Sequence, residues 1–407
     1  MRVAKPIALS DAYWFQEGPG LRNWQFKASG IKILNVGNIL PDGTIDLSKT
    51  DRHLSEEEFS TKYQHFNVDA GDLVIASSGI SFDGDGLLRT KIAFIEEAHL
   101  PLCMNTSTIR FKAKDQFSDL NYLRHWLQSA EFRRQVSRLV TGSAQLNFGP
   151  SHLKSMVISL PPLSEQRRIA AILDKADALR RQRQRAIDLL DSLTQSIFLE
   201  MFGDGTTHWS SARFGDAVEE FRYGTSAKSE AEGYPVLRIP NVVGGRVDLG
   251  ELKYVPLDQK EYARLKLDSG DLLIVRTNGN RAYVGRCAVF DPTRISHRPT
   301  EHVYASYLIR ARLKSAEFDP HFVQAFLSSE MGRKALLDRS KTSAGQFNIN
   351  TEGLGTIEIP KPPIEMQKDF ATRLGMIRKS EQALAANYAS TAALFASLQS
   401  RAFAGEL

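Results

Sequence analysis

The chain has only two cysteines in 407 residues, Cys103 and Cys287. They stand far apart with no ligand spacing around them, which excludes a disulfide framework and a cysteine-held metal centre and points to a reducing, cytoplasmic compartment. No apolar run approaches the roughly 20 residues that cross a bilayer, and the N-terminus lacks the apolar core of a signal peptide, so no membrane association is expected. The GxxxxGK[ST] phosphate loop is missing, which excludes NTP-driven motion by that device. No zincin motif and no nucleophile elbow occur. His53, His65, His297 and His302 have no converging ligand spacing and read as surface side chains. No catalytic residue and no metal ligand is expected.

What is present is ordinary in amount and unusual in arrangement. A hydrophobic share of 42% and a charged share of 24% suit a soluble chain of two or three domains. The net charge of +5 permits a polyanionic partner without requiring one. The organising stretch is Ser164 to Met201. Ile169, Ala176, Leu190 and Ile197 fall on one seven-residue register, and Ile172, Leu179, Ala186 and Leu193 on the complementary one. That spacing predicts a helix with an apolar seam, about 55 Å long at 1.5 Å per residue. Pro161 and Pro162 stop the preceding segment, Ser164 suits the N-cap, and Gly203 supplies the exit.

The partner is the chain's own C-terminus. From Glu365 to Phe403 the spacing returns, with Phe370, Ile377, Leu384 and Leu398 in one register and Leu374, Tyr388, Phe395 and Ala402 in the other. Pro161-Pro162-Leu163-Ser164-Glu165-Gln166 is answered 201 residues later by Pro362-Pro363-Ile364-Glu365-Met366-Gln367. The globular parts repeat as well. Val68 to Ile75 matches Leu267 to Ile274, Asn38-Ile39 matches Asn241-Val242, and Thr141 to Phe148 matches Thr342 to Ile349. Such offsets signal an internal duplication. The expected fold is α+β: two duplicated globular domains, residues 1–163 and 204–362, separated by long helices at 164–203 and 363–407 that form an antiparallel coiled coil. In the first domain, strands are expected at Ile31–Asn35, Leu73–Ala76, Lys91–Ile95 and Ser107–Phe111, and one helix at Asp119–Leu139.

At this point the chain resembles the DNA-specificity subunits of type I restriction-modification systems. LPPLSEQRRIAAILDKAD resembles that family's central conserved region, SLQSRAFAGEL its distal one, and the GDLLI and TSAGQFNI segments its target recognition domains. The resemblance implies that each globular domain reads one half of a bipartite site on double-stranded DNA. It implies that the helices form a spacer docking two modification subunits. Those subunits, not this chain, would bind S-adenosylmethionine and methylate adenine, and a translocating nuclease (restriction) subunit can join. The chain departs from the usual form at its opening, YWFQEGPGLRNWQFKASG, whereas WSSARFGDAVEE opens the second domain more typically. The methylase motifs are absent: Asp291-Pro292-Thr293-Arg294 and Asn147-Phe148-Gly149-Pro150 do not fit the Asn/Asp-Pro-Pro-aromatic turn. The chain is therefore read as non-catalytic, without a cofactor of its own. The competing reading is a duplicated protein-interaction scaffold.

Candidate DNA-reading residues lie on two loops per domain. After each GD-LLI strand come Ser77, Ser78, Arg89 and Lys91 in the first domain, and Arg276, Thr277, Asn278, Asn280, Arg281, Tyr283 and Arg286 in the second. Arginine can grip guanine and asparagine adenine through two bonds each, and the intervening glycines let the backbone approach a groove. A hairpin polar only because it is solvated is the alternative, which the duplication and family context disfavour. The second loop carries Thr141, Ser143, Gln145 and Asn147, and its repeat Thr342, Ser343, Gln346 and Asn348. These suit phosphates or bases, and equally a helix C-terminal turn capped by its own side chains.

Seven basic residues in the first long helix are interleaved with Asp174, Asp177, Asp188 and Asp191, which favours a salt-bridged or docking face over a DNA stripe. Arg183 interrupts the first seam and Glu381 the second. Antiparallel helices with aligned ends would bring the two together as a register pair; the alternative is that each snorkels outward along its own helix.

Overall fold

The computed structural model describes residues 5–79, 81–82, 88–114, 116–139, 147–203, 209–292, 301–343 and 345–407. It divides into two compact units, residues 1–184 with 387–407, and residues 185–386. The unit boundary falls inside both long helices, Leu163–Phe202 and Ile364–Ala404, rather than at their ends. The cause is packing: the ends of both helices are built into globular cores.

In the first unit, Leu73–Ala76 (LVIA) is buried at every position and sits inside a four-stranded antiparallel sheet. Thr108–Ala113 and Ile92–Phe94 flank it, and Tyr13–Glu17 pairs with the far side of Thr108–Ala113. A second sheet joins Ile31–Leu34 to His53–Leu54 and, in parallel, to Leu102–Met104. The main core collects Ile109, Phe111, Leu123 and Trp126 with Ile169, Ala170 and Leu173 of one long helix and Ala402 of the other.

The second unit repeats this plan. Leu272–Val275 (LLIV) lies between Leu308–Leu313 and Cys287–Val289, and Val218–Tyr223 pairs beyond Leu308–Leu313. Even the register is copied: Thr108 faces Ala76 and Phe111 faces Leu73, as Leu308 faces Val275 and Ala311 faces Leu272. Phe198, Phe202, Phe322 and Phe370 meet with ring centroids 4.8 to 5.8 Å apart, welding both helix segments to the domain.

A buried glutamine fixes each long helix at its start. Gln166, fully buried, accepts from the Asp119 amide (2.9 Å) and donates to Phe117 O (3.0 Å) and Pro161 O (2.8 Å). Gln367 makes the same three bonds to Asp319, Glu317 and Pro362. All the polar capacity of the amide that reaches these groups is used, as burial demands.

Several expectations are corrected. The single helix expected over Asp119–Leu139 is two, Leu120–Leu127 and Ala130–Leu139. Ser129 breaks it: its hydroxyl donates to Trp126 O and accepts from the Phe132 amide, ending one helix and capping the next. Ser329 repeats the device. The expected seam is also displaced. Ile169, Ala170, Leu173 and Asp177 are buried, whereas Leu179 and Leu193 remain 42% and 40% exposed. The helix faces a domain as well as a helix, so its buried stripe follows the 3.6-residue period more than the heptad.

The expected Arg183–Glu381 pair is not formed. Arg183 donates to Asn387 O and Thr391 Oγ1, and Glu381 accepts from Arg246. The register places Arg183 opposite residues 387–391, beyond Glu381, so each charge finds a nearer partner. His302, expected at the surface, is fully buried with its ring 5.6 Å from that of Phe290. His297 lies outside the described residues.

Candidate nucleic-acid interface

In the second unit the two candidate loops, some seventy residues apart in sequence, are joined into one three-stranded ribbon. Thr277–Asn278 pairs with Gln346–Asn348, which pairs with Lys341–Ser343. Thr277 Oγ1 bonds Gln346 Oε1 at 3.1 Å, and the Ile349 amide donates to Arg276 O at 2.8 Å. Ribbon formation answers the question left open for Thr342 to Asn348: this loop is a strand pair, not a helix C-terminal turn. Thr342, Gln346 and Asn348 sit on it, and the Ser343 backbone pairs with Gln346.

Arg276 leaves the end of the buried strand half-exposed, with its guanidinium 4.8 Å from the Tyr223 ring. Its buried Nε has no hydrogen-bond partner among the described residues. Asn278 and Asn280 each spend one side-chain oxygen on the loop, accepting from the Asn280 and Ala282 amides. Their amide NH2 groups are donors a base edge could take. Arg281 is exposed, and the Arg286 guanidinium stacks 3.6 Å from the centroid of the exposed Tyr283. Stacking on an aromatic ring holds an arginine in place without neutralising it.

The sequence reading missed two aromatic side chains here. Tyr223 and Tyr307 flank Arg276, the first through its ring, the second through a backbone bond from the Arg276 amide to Tyr307 O. Tyr307 is 57% exposed. Only sheet pairing brings residues 223, 276 and 307 together, and no local spacing signals it.

The first unit builds the same tip from different chemistry. Ser77 takes the place of Arg276: its amide donates to Ser107 O, and its carbonyl accepts from the Phe148 amide. Ser77 is buried, so its hydroxyl is poorly placed for DNA, whereas Ser78 lines an open polar cleft of about 580 Å³ with Asn35, Thr50, Arg52, Asn105 and Ser107. Lys91 points away to Val36 O, at 3.4 Å. Asn147 is exposed beside Phe148. Glu17 stands where the second unit has Tyr223, and burial raises its carboxyl above the usual range. Thr141, Ser143 and Gln145 lie outside the described residues, as do the side chains of Arg89 and Ser343. Among the described residues no group of histidine, cysteine and carboxylates could hold a metal.

These tips present hydrogen-bond donors, acceptors, fixed cations and aromatic faces. Among the described residues they present no nucleophile–base pair. Burial pushes the two thiols, Cys103 and Cys287, up to about 12, far from a reactive thiolate.

Comparison with known proteins agrees with this architecture. A family model for the type I restriction modification DNA specificity domain matches residues 26–189. The EcoKI specificity subunit of Escherichia coli K12 is 27% identical over 321 residues, covering 74% of this chain and 67% of that one. The StySPI specificity subunit of Salmonella potsdam is 25% identical, covering 72% and 66%. The matched region thus spans about two thirds of the length of these relatives. Among solved structures, the S subunit of a type I system from M. genitalium aligns with a TM-score of 0.55 at 14% identity, over 99% of this chain and 96% of that one. A chain from a type I R-M system structure concerned with complex assembly and conformational transition aligns at 0.58 and 17% identity, over 100% and 99%. At such identities the structures speak for the fold alone. No helix among the described residues is long and apolar enough to cross a membrane.

Proposed function

We propose that this chain, whose relatives are type I restriction-modification specificity subunits, is the sequence-specific DNA-binding subunit of such a system. Each unit reads one half of a bipartite site. The long helices dock two modification subunits, which supply S-adenosylmethionine and methylate adenine, and restriction subunits join the same assembly. The chain itself carries no cofactor, performs no catalysis and works in the cytoplasm.

The observation that carries this reading is the pair of tips. One scaffold, repeated in its central strand register and in its helix-start glutamine bonds, ends in Arg276 with tyrosines in one unit and in Glu17 with serines in the other. Duplication with divergent tips is what reading two different half-sites requires, since base edges are distinguished by donor and acceptor placement. A scaffold for protein docking would have no such need of unneutralised arginine beside exposed asparagine amides.

Exchange of residues 209–361 for the matching domain of a relative, followed by methylome sequencing, tests the reading. One half-site changes and the other stays. If both halves change together, the units do not read independently and the proposal fails.

A further inference from the structure

A cavity of about 480 Å³ lies within the second unit, between the helix Pro320–Ser328, the turn at Gly244-Gly245, and segments of both long helices. Phe198, Val242, Ala325 and Leu374 form its apolar walls.

In the first unit, the matching positions are filled. His125 is fully buried, with Nε2 2.8 Å from Asp174 Oδ1, and Arg124 bonds the same carboxylate. The Phe395 ring lies 6.2 Å from the His125 ring. The duplication places Ala325, Gly375 and Thr194 where the first unit has His125, Asp174 and Phe395. Each replacement removes side-chain volume; Ala325 and Thr194 line the cavity, and Gly375 follows Leu374 of its wall. Charge is reversed as well. Asp177, the buried acceptor of Arg180 and Arg181, is replaced by Arg378, itself 6% exposed.

Three further guanidinium groups reach this cavity. Arg246 bonds Glu381, Arg286 stacks on Tyr283, and Arg333 donates to Val284 O (2.7 Å) and Ala282 O (3.1 Å). The backbone gives way to them: Gly285 holds φ +76, and a Cβ there would press to 2.9 Å from Leu336 and 3.2 Å from Arg333 Nη1. Among the described residues the lining holds four guanidinium groups and no carboxylate. Glu381, buried and outside the lining, pairs with Arg246, and Arg378 donates to Gly245 O and Gln324 Oε1 (3.3 Å each). Cations thus still outnumber carboxylates where water is partly excluded and like charges repel. An anion reverses that balance. Arginine forks match phosphate oxygens two at a time. The volume lies in the range that holds whole organic ligands rather than a bare ion.

We propose that this cavity is a binding site for a small organic phosphate of nucleotide size, its phosphates on the arginines and its planar group against the apolar wall. The site belongs to the second unit and shares Arg286 with the recognition tip, so its occupancy is read with free nucleotides, apart from DNA.

Calorimetric titration of the full chain without DNA tests this, using ADP, GDP and CDP, with adenosine and pyrophosphate as controls. At least one nucleoside diphosphate binds, adenosine does not, and pyrophosphate binds more weakly. The double substitution Ala325→His with Gly375→Asp rebuilds the first unit's filling and lowers nucleotide affinity at least about tenfold, or 1.4 kcal/mol. Thr194→Phe, which fills from the long-helix side, gives the same loss should the double variant unfold. DNA retention by the refilled variants is unchanged. The proposal is overturned if no nucleotide binds at millimolar concentration, or if a folded refilled variant binds as the natural chain does. It is equally overturned if refilling weakens DNA binding while free nucleotides fail to bind, which would make the cavity a DNA-backbone contact.

Discussion

Replacing Gln166 by alanine removes one side chain and strands three partners: the Pro161 carbonyl, which is buried, and the Asp119 amide and Phe117 carbonyl, which are partly buried. Gln166 is fully buried, so water has no direct route to replace it. Each unsatisfied buried group costs about 1–3 kcal/mol. With the Asp119 and Phe117 groups able to turn partly towards solvent, the loss is about 2–4 kcal/mol, a large part of a domain's net stability. Gln166→Glu tests the source. It is nearly the same size and keeps the acceptor, but it sets a carboxylate against two carbonyls, so it destabilises at least as much as alanine. Gln367→Ala does the same to the second unit. Chemical denaturation with a probe in each unit reads the result, because the transition of the altered unit shifts first. A loss below about 1 kcal/mol for Gln166→Ala, within the net value of one ordinary hydrogen bond, would refute the clamp.

Other outcomes follow from particular residues. Arg276→Ala weakens DNA binding by about 1–3 kcal/mol and relaxes one position of one half-site, while the other half-site keeps its sequence; binding selection from a random library reads both effects. Asp174 and Asp177 titrate below the usual carboxylate range: burial opposes this, but bonds from His125 to Asp174 and from Arg180 to Asp177, with the neighbouring arginine charges, outweigh it. Because their folded values are depressed, their contribution is full above the unfolded value of about 3.9 and disappears as pH falls below it. Asp174→Asn with Asp177→Asn therefore flattens the acid limb of the stability curve below about pH 4, as acid titration by circular dichroism records. Cys103 and Cys287, buried with thiols raised to about 12, react with a thiol reagent at neutral pH only after denaturant is added.

Much of the fold was legible because the duplication was. Two copies of one pattern reinforce each other: LVIA and LLIV read as buried strands, and the PP-x-[SE]-x-Q openings read as helix starts. What was hidden depends on partners. Ser129 ends a helix through a bond to Trp126 O, and its sequence neighbourhood looks helical throughout. The Arg183–Glu381 expectation assumed aligned helix ends, but the register is set by the domain cores that hold those ends, so Arg183 meets Asn387 and Thr391 instead. Tyr223 and Tyr307 join Arg276 only across a sheet.

The candidate site divides along the same line. Loop composition marked Arg276, Asn278 and Asn280, whose chemistry is visible in one residue each. It also marked Ser77, which the fold buries, and Lys91, which the fold turns to Val36 O. A residue's type states what it can bond; its strand register states whether it is free to do so. In a duplicated chain the second question can be put position by position, because the twin supplies a control. Where both units keep a residue, as with Gln166 and Gln367, the bonds are internal and identical. Where they differ at one sheet position, as with Ser77 and Arg276, the scaffold does not demand either side chain. That freedom is what a recognition tip needs, and it identifies the tips more sharply than polarity does.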